Sequence, residues 1–216
     1  MRILVTGTDP RLAERLQADG LEVLECPLIR IEPIPGPTVR VDEYDWLVVT
    51  SRHGAEELLR RAEGPLPRVA AIGPDTADEL RAHGVEPALV ASRSTQEGLV
   101  AELPSDSGRI LFAGAEGARD VLVQGLGADF LALYRTIELV PDETPEGDLA
   151  TIASASAARA LATTGAVIPC VSIGPVTTAE AERHGLEVVA EAEEHDLAGL
   201  VRAVKLAASR AGSSPS

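Results

Sequence analysis

A strand–turn–helix unit occurs twice in this chain, and that repetition limits the folds open to it. Ala71-Ile72-Gly73-Pro74-Asp75-Thr76-Ala77 reads as the end of a buried strand, a tight turn and the first turn of a helix. Ser172-Ile173-Gly174-Pro175-Val176-Thr177-Thr178 repeats it at an offset of 101 residues. His83-Gly84 and Gly98-Leu99 recur as His184-Gly185 and Gly199-Leu200 at the same offset. Such doubling signals a duplicated α/β architecture. A second echo has a different spacing. Arg109-Ile110-Leu111-Phe112 follows Arg2-Ile3-Leu4-Val5 by 107 residues, as Gly127 follows Gly20.

Apolar runs bounded by turn residues predict strands at Arg2–Thr6, Leu21–Glu25, Asp45–Thr50, Arg68–Ile72, Pro87–Val90, Arg109–Ala113 and Asp129–Leu133. Further strands are expected at Leu149–Ser154, Ala166–Ile173 and Glu187–Ala190. Between them lie helical patterns. Asp9-Pro10 supplies an N-cap and a first helical residue, with Leu12, Ala13 and Leu16 on one face. Helices are also expected at Ala55–Glu63, Pro74–His83, Gly117–Leu126, Ser156–Thr163, Val176–His184 and Asp196–Ser209. Ser94-Thr95-Gln96-Glu97 fits a capping box opening a helix that runs to Leu103. Pro27–Pro37 holds four prolines and is too Pro-rich for an inner strand. Tyr134–Pro141 is its equivalent, also extended. Ala211–Ser216 is expected to be disordered.

Alternating strands and helices predict parallel sheets covered on both faces. The expected fold is α/β: two similar flavodoxin-like domains joined by a two-stranded connector, with a ligand cleft between them. The discontinuous domain is 1–33 plus 142–216, the inserted one is 38–134, and 34–37 and 135–141 connect them.

The duplicated turn also has chemistry. Gly lets the backbone approach a ligand, and Pro at the first helical position gives up an N–H that has no helical partner. The following amides form an anion site, to which Thr76 and Thr177 add hydroxyls. The chain carries 34 acidic against 19 basic residues, a formal charge of −15, with aromatics at 2%. That balance disfavours nucleic acid and anionic membranes as partners, but permits a small anion held by amides. Cys26 and Cys170 have no C-x-x-C spacing and read as reduced core thiols. No apolar run approaches the roughly 18 residues of a membrane helix, so the expected setting is cytoplasmic and the expected state a monomer. His53 reads as a turn histidine, because no G-x-S-x-G elbow accompanies Ser51. Glu191–Asp196, with His195, reads as a solvated acidic surface. Gly114-Ala115-Glu116-Gly117 precedes a helix without a nucleotide-binding pattern and is a candidate carboxylate contact.

Taken together, several stretches resemble the uroporphyrinogen-III synthase family. They are Ile3-Leu4-Val5-Thr6, the Pro-Leu-Ile-x-Ile-x-Pro segment Pro27–Pro33, Val48-Val49-Thr50-Ser51-Arg52, and Ala71–Ala77. To these belong Tyr134-Arg135-Thr136, Ile173-Gly174-Pro175 and Gly199-Leu200. The resemblance reaches to about Ala208. It implies a cofactor-free lyase that dehydrates hydroxymethylbilane, inverts ring D and closes uroporphyrinogen III, with no metal. It implies Tyr134 as the catalytic residue assisting the leaving hydroxyl. Substrate contacts would come from Thr50, Ser51, Arg52, Gly73, Thr76, Gly114, Ser154, Gly174 and Thr177, with Arg119 a further carboxylate partner. Two departures from the family pattern stand out. Gly7 stands where bacterial relatives often carry Arg, and Ala153-Ser154-Ala155-Ser156 replaces a bulkier Thr-Ser-Pro-like turn. Those departures motivate an alternative, a non-catalytic two-lobed tetrapyrrole-binding or sensor paralogue.

Overall fold

The computed structural model describes residues 1–212, with side chains to Arg210. In chain order, β1 (Arg2–Val5), α1 (Pro10–Ala18), β2 (Glu22–Glu25), β3 (Ile29–Pro33) and β4 (Val39–Arg40) come first. β5 (Trp46–Val49), α2 (Arg52–Arg61), β6 (Ala62–Glu63), β7 (Arg68–Ala71), α3 (Pro74–Ala82) and β8 (Leu89–Val90) follow. Next are α4 (Gln96–Glu102), β9 (Ile110–Ala115), α5 (Val121–Leu126) and β10 (Asp129–Glu138). The chain ends with β11 (Leu149–Ile152), α6 (Ala155–Thr163), β12 (Cys170–Ser172), α7 (Pro175–Arg183), β13 (Val188–Glu191) and α8 (Leu197–Gly212).

These elements form two compact units. Unit 1 is Met1–Arg30 with the chain from Ile137 onward, and unit 2 is Ile31–Thr136. The chain therefore crosses between them inside β3 and inside β10. Unit 1 holds a sheet of order β13-β12-β11-β1-β2, parallel throughout. The second sheet has the order β3-β10-β9-β5-β7-β8, parallel from β10 to β8. Read from β9, the run β10-β9-β5-β7-β8 repeats β2-β1-β11-β12-β13 position for position. Unit 2 is thus unit 1 with its opening strand–helix–strand moved to the end. That rearrangement is the physical source of the two repeat spacings in the sequence.

β3 lies outermost, beside β10, where its Pro33 interrupts no inner ladder. Ile34 N–H donates to Leu133 O and Leu139 N–H to Leu28 O, each at 2.8 Å, so the two segments run antiparallel.

Alternation along the strands divides each core into two faces. In unit 1, Leu4, Ala150 and Ile152 meet Ala157, Ala158 and Leu161 of α6. On the other face Ile3, Val5 and Val171 meet Leu12 and Leu16 of α1 and Leu200 and Val204 of α8. In unit 2, Leu47, Val49 and Ala71 face Ala55 and Leu58 of α2 and Ala77 and Leu80 of α3. Trp46, Val48 and Phe112 face Leu99 of α4 and Leu122 of α5. Each fully buried Leu, Ile or Phe contributes about 1.5–3 kcal/mol. The repeated His-Gly is a helix stop: His83 and His184 are C-caps, and the glycines after them lie at φ +77° and +79°.

Several sequence expectations are corrected. Thr95, not Ser94, caps α4, accepting from Gly98 N–H at 3.0 Å, and Glu97 pairs with Arg119 instead of closing a capping box. α5 begins at Val121 rather than Gly117, because Gly117 turns left-handed at φ +74°. The strand expected over Ala166–Ile173 is only Cys170–Ser172, since Pro169 has no N–H for the ladder. β10 runs on to Glu138, so the strand expected to stop at Leu133 continues through Tyr134 into the segment expected to be a connector. β4 and β6 form a two-stranded parallel pair that no sequence period announces. The expected disordered tail lies outside the described residues, apart from the backbone of Ala211 and Gly212 at the end of α8.

Arg61, 6% exposed at the end of α2, fixes the segment after β3. Its Nε donates to Pro37 O at 3.1 Å and its Nη1 to Ile34 O at 3.3 Å. A Cβ on Gly36 would lie 2.5 Å from its Nη2. Arg61→Met strands both carbonyls and is expected to destabilise unit 2 by about 2–3 kcal/mol. Arg61→Lys restores at most half of that, because an ammonium cannot span two acceptors as a guanidinium fork does. Urea unfolding followed by the fluorescence of Trp46, the single tryptophan, reads unit 2 directly. Equal stability of Arg61→Met and the parent would show that these carbonyls need no donor.

Candidate functional site

In a parallel α/β sheet the carboxyl ends of the strands carry the loops that enter helices, and ligands gather there. In unit 2, β5 delivers Thr50 and Ser51 to the start of α2. Ser51 is the N-cap: its Oγ accepts from Gly54 N–H at 2.9 Å. The same Oγ lies 2.8 Å from the Tyr134 hydroxyl on β10. Gly54 and Gly114 make this convergence possible. A Cβ on Gly54 would come 3.3 Å from Ala113 O, and one on Gly114 would come 3.0 Å from the Phe112 ring and 3.5 Å from Thr50 Oγ1. The β9–β10 register shifts between Ala132 and Tyr134, which turns the tyrosine toward α2.

Tyr134 is 7% exposed. Burial pushes its phenol pKa up, partly offset by the hydrogen bond it shares with Ser51. The phenol therefore stays protonated across the neutral range. The pair holds two hydroxyl protons, and only one is needed between the two oxygens. Ser51 Oγ already accepts from Gly54, so whichever oxygen donates across the pair, one O–H remains to be offered outward. His53, two residues after Ser51, sets its ring against Tyr134 with centroids 6.0 Å apart and planes at 64°.

The second helix start in this unit is α3. Gly73 is its N-cap, Pro74 follows, and no side chain caps it. Gly73 has an extended backbone, so the glycine is required by contact and not by conformation: a Cβ there would lie 2.2 Å from Ser94 Oγ. Thr76 is buried, and Asp75 places a carboxylate in the first turn. Arg52 reaches α3, its Nε 3.1 Å from Glu79 Oε2.

Unit 1 repeats the arrangement with different chemistry. Ser154 caps α6, accepting from Ala157 N–H at 3.1 Å, and lies 3.0 Å from Ser156 Oγ. Gly174 starts α7 without a side-chain cap, and a Cβ on it would lie 3.0 Å from the His195 ring. Val176 stands where α3 has Asp75. Thr177 is buried; the hydroxyl that bonds visibly belongs to Thr178, 2.6 Å from Ser172 Oγ and also paired with Glu191.

The structure thus brings Thr50, Ser51, Gly114 and Tyr134 together, with Gly73 and Thr76 at the neighbouring helix start of the same unit. Ser154, Gly174 and Thr177 belong to unit 1. Sequence reasoning read Ser94 only as part of a capping box and His195 only as solvated surface, and missed that they cover Gly73 and Gly174. Both occupy the same place in the repeat, at the 101-residue spacing, and that equivalence is the signal that would have found them. A hollow of about 620 Å³ lined by Leu66, Arg68, Gly84 and Glu86 sits at the start of β7, away from Tyr134. It lacks convergent hydroxyls, so the chemistry points to the carboxyl end. Cys170 is fully buried, its thiol pushed up to about 12 chiefly by desolvation, which makes it an inert core group. Among the described residues no three His, Cys, Asp or Glu side chains gather as a metal-ligand group, and no helix is long and apolar enough to cross a membrane.

A family model described as uroporphyrinogen-III synthase HemD matches residues 10–202. A Methanocaldococcus jannaschii protein named "Putative uroporphyrinogen-III synthase" is 27% identical over 151 residues, 64% of this chain and 63% of that one. The match therefore spans under two thirds of that relative. Uroporphyrinogen-III synthase of Synechococcus elongatus is 24% identical over 92% of this chain and 91% of its own. Among solved structures, a mutant uroporphyrinogen III synthase from the extremely thermophilic bacterium Thermus thermophilus superposes with a TM-score of 0.63. It is 19% identical, over 97% of this chain and 99% of that one. The Helicobacter pylori protein, named uroporphyrinogen-III synthetase, gives a TM-score of 0.63 at 17% identity, over 97% and 100%. The structural likenesses concern the fold; the sequence match across residues 10–202 places this chain in the uroporphyrinogen-III synthase family.

Proposed function

We propose that the chain catalyses the cofactor-free conversion of hydroxymethylbilane to uroporphyrinogen III. The observation that carries this reading is the buried Tyr134–Ser51 hydroxyl pair at the carboxyl end of a parallel sheet, in a chain of this family. In the first step the hydroxymethyl C–O bond breaks as a pyrrole nitrogen pushes in its lone pair. The departing oxygen takes up a proton from solvent and leaves as water. The azafulvene cation that remains is attacked within the substrate, ring D inverts through a spirocyclic intermediate, and closure releases a proton. The Tyr134 phenol, held protonated by its burial, assists as a hydrogen-bond donor to the departing oxygen and is not itself ionised. The substrate's carboxylates suit helix starts that lack a side-chain cap. Of the two, α7 is the more favourable, because α3 carries Asp75 in its first turn.

Incubation with hydroxymethylbilane, followed by separation of the oxidised porphyrin isomers, tests the proposal. The type III isomer in excess over type I is expected. A protein that binds the substrate while only the spontaneous type I isomer accumulates would instead be the non-catalytic binder.

Gly7, in the turn after β1, has nothing within 4 Å of where a Cβ would be. Gly7→Arg is therefore expected to fold with stability within about 0.5 kcal/mol of the parent. The added guanidinium should lower KM for hydroxymethylbilane roughly threefold, with kcat little changed. An unchanged KM would mean that this turn does not meet substrate.

A further inference from the structure

We infer that His53 is a positioning residue for Tyr134, holding the phenol on Ser51 by ring contact and not by proton transfer. The inference rests on the proposed synthase activity, which makes Tyr134 the assisting donor.

The observations come from three sides. The His53 ring stands edge-on to Tyr134, at a separation and tilt typical of an attractive aromatic pair. His53 lies in the first turn of α2, whose cap is Ser51, so the group that contacts the ring and the group that contacts the hydroxyl share one rigid turn. That turn is seated on β9 through Gly54, close to Ala113 O and Gly114 Cα. A phenol side chain has two rotatable bonds. The Ser51 hydrogen bond restrains the oxygen, and the His53 contact restrains the plane of the ring. The core of unit 2 packs the rest of the ring, and without the His53 contact the phenol can tilt about its oxygen within that packing and face the leaving group badly. Misplacement of that kind lowers kcat more than it changes substrate binding. Unit 1 has Ser156 at the place corresponding to His53, so this device belongs to unit 2 alone.

The test uses the full chain carrying Tyr44→Phe, which leaves Tyr134 as the single tyrosine of the two. Near-ultraviolet circular dichroism then reads how firmly the Tyr134 ring is fixed, with Tyr134→Phe as the blank. His53→Ala is expected to lose at least about half of the Tyr134 band and to lower kcat roughly fivefold to tenfold, with KM within about twofold. His53→Phe, which keeps a ring and has no proton to give, should retain the band and restore kcat to within about twofold. A full-strength band in His53→Ala overturns the inference whatever the assay gives, as does a weakened band with unchanged kcat. Failure of His53→Phe to restore kcat while keeping the band overturns it too, because the imidazole proton would then be what matters. The spectroscopic arm needs no substrate. If the parent protein makes no type III isomer, the synthase reading fails by itself, and the band still decides whether His53 fixes Tyr134.

Discussion

Gly199→Ala is expected to destabilise unit 1 by about 3 kcal/mol, lowering its melting temperature by roughly 6–10 °C. Gly199 lies in the first turn of α8, where its N–H donates to Asp196 Oδ1 at 2.8 Å. A Cβ there would fall 1.9 Å from Glu194 O and 2.9 Å from the Glu194 carbonyl carbon. The obstacle is backbone, so no rotamer change relieves it. The loop from Ala192 to Asp196 must lift, and that loop carries His195 against Gly174. Gly98 is the counterpart in unit 2, with its Cβ position 2.2 Å from Arg93 O. Arg93 O also accepts from Thr95 N–H at 2.7 Å, so it too is held. The pair of variants separates the units. Gly98→Ala should shift the unfolding seen by Trp46 fluorescence, while Gly199→Ala should shift the transition seen by far-ultraviolet circular dichroism. Gly7→Ala, with open space around it, is the control and should change stability by less than about 1 kcal/mol. A Gly199→Ala protein as stable as that control would show that the loop does not fold over the helix start.

The same glycines show what a sequence can reveal. Gly98-Leu99 and Gly199-Leu200 are legible as an echo because a helix start tucked under a loop tolerates nothing larger, and the doubled fold demands it twice. The two repeat spacings likewise carry the permuted strand order, since β9 and β10 take the places of β1 and β2. Asp9-Pro10 is legible because cap and first residue are neighbours in the chain. What escapes is whatever depends on a distant partner. The capping box at Ser94 is locally sound, yet Glu97 reaches Arg119 and Ser94 covers Gly73, so the cap passes to Thr95. Arg52 has the composition of a carboxylate partner, but Glu79 on the next helix engages it. His195 sits in an acidic run that reads as solvated surface, and only the fold lays its ring on Gly174. The strand reads as ending at Leu133, just before Tyr134, because the pattern beyond it is irregular. β10 continues because β3 lies beside it, 103 residues earlier where Arg135 meets Glu32.

Tyr134→Phe is expected to lower kcat by about 10- to 100-fold and leave measurable activity, with stability reduced by about 1 kcal/mol. The range follows from what the hydroxyl does. A donor that ionised fully would act as a general acid, and its removal would cost more. Here burial keeps the phenol protonated, so the loss is that of one hydrogen bond to a developing negative oxygen. For the same reason kcat should show no limb from this phenol between about pH 6 and 9, since its pKa lies above the ordinary value of about 10. Ser51→Ala removes both the partner oxygen and the cap of α2, so it should lower kcat about fivefold to tenfold and stability by about 1 kcal/mol. Because the two hydroxyls act as one unit, Ser51→Ala placed on top of Tyr134→Phe should cost little further kcat. Slower turnover also leaves more hydroxymethylbilane to cyclise unaided, so the share of type I isomer should rise in step with the loss of kcat. Additive losses in the double variant would separate the roles of the two oxygens. Abolition of activity in a folded Tyr134→Phe protein would require a phenol that gives up its proton outright, and an unaffected kcat would remove the pair from the reacting centre.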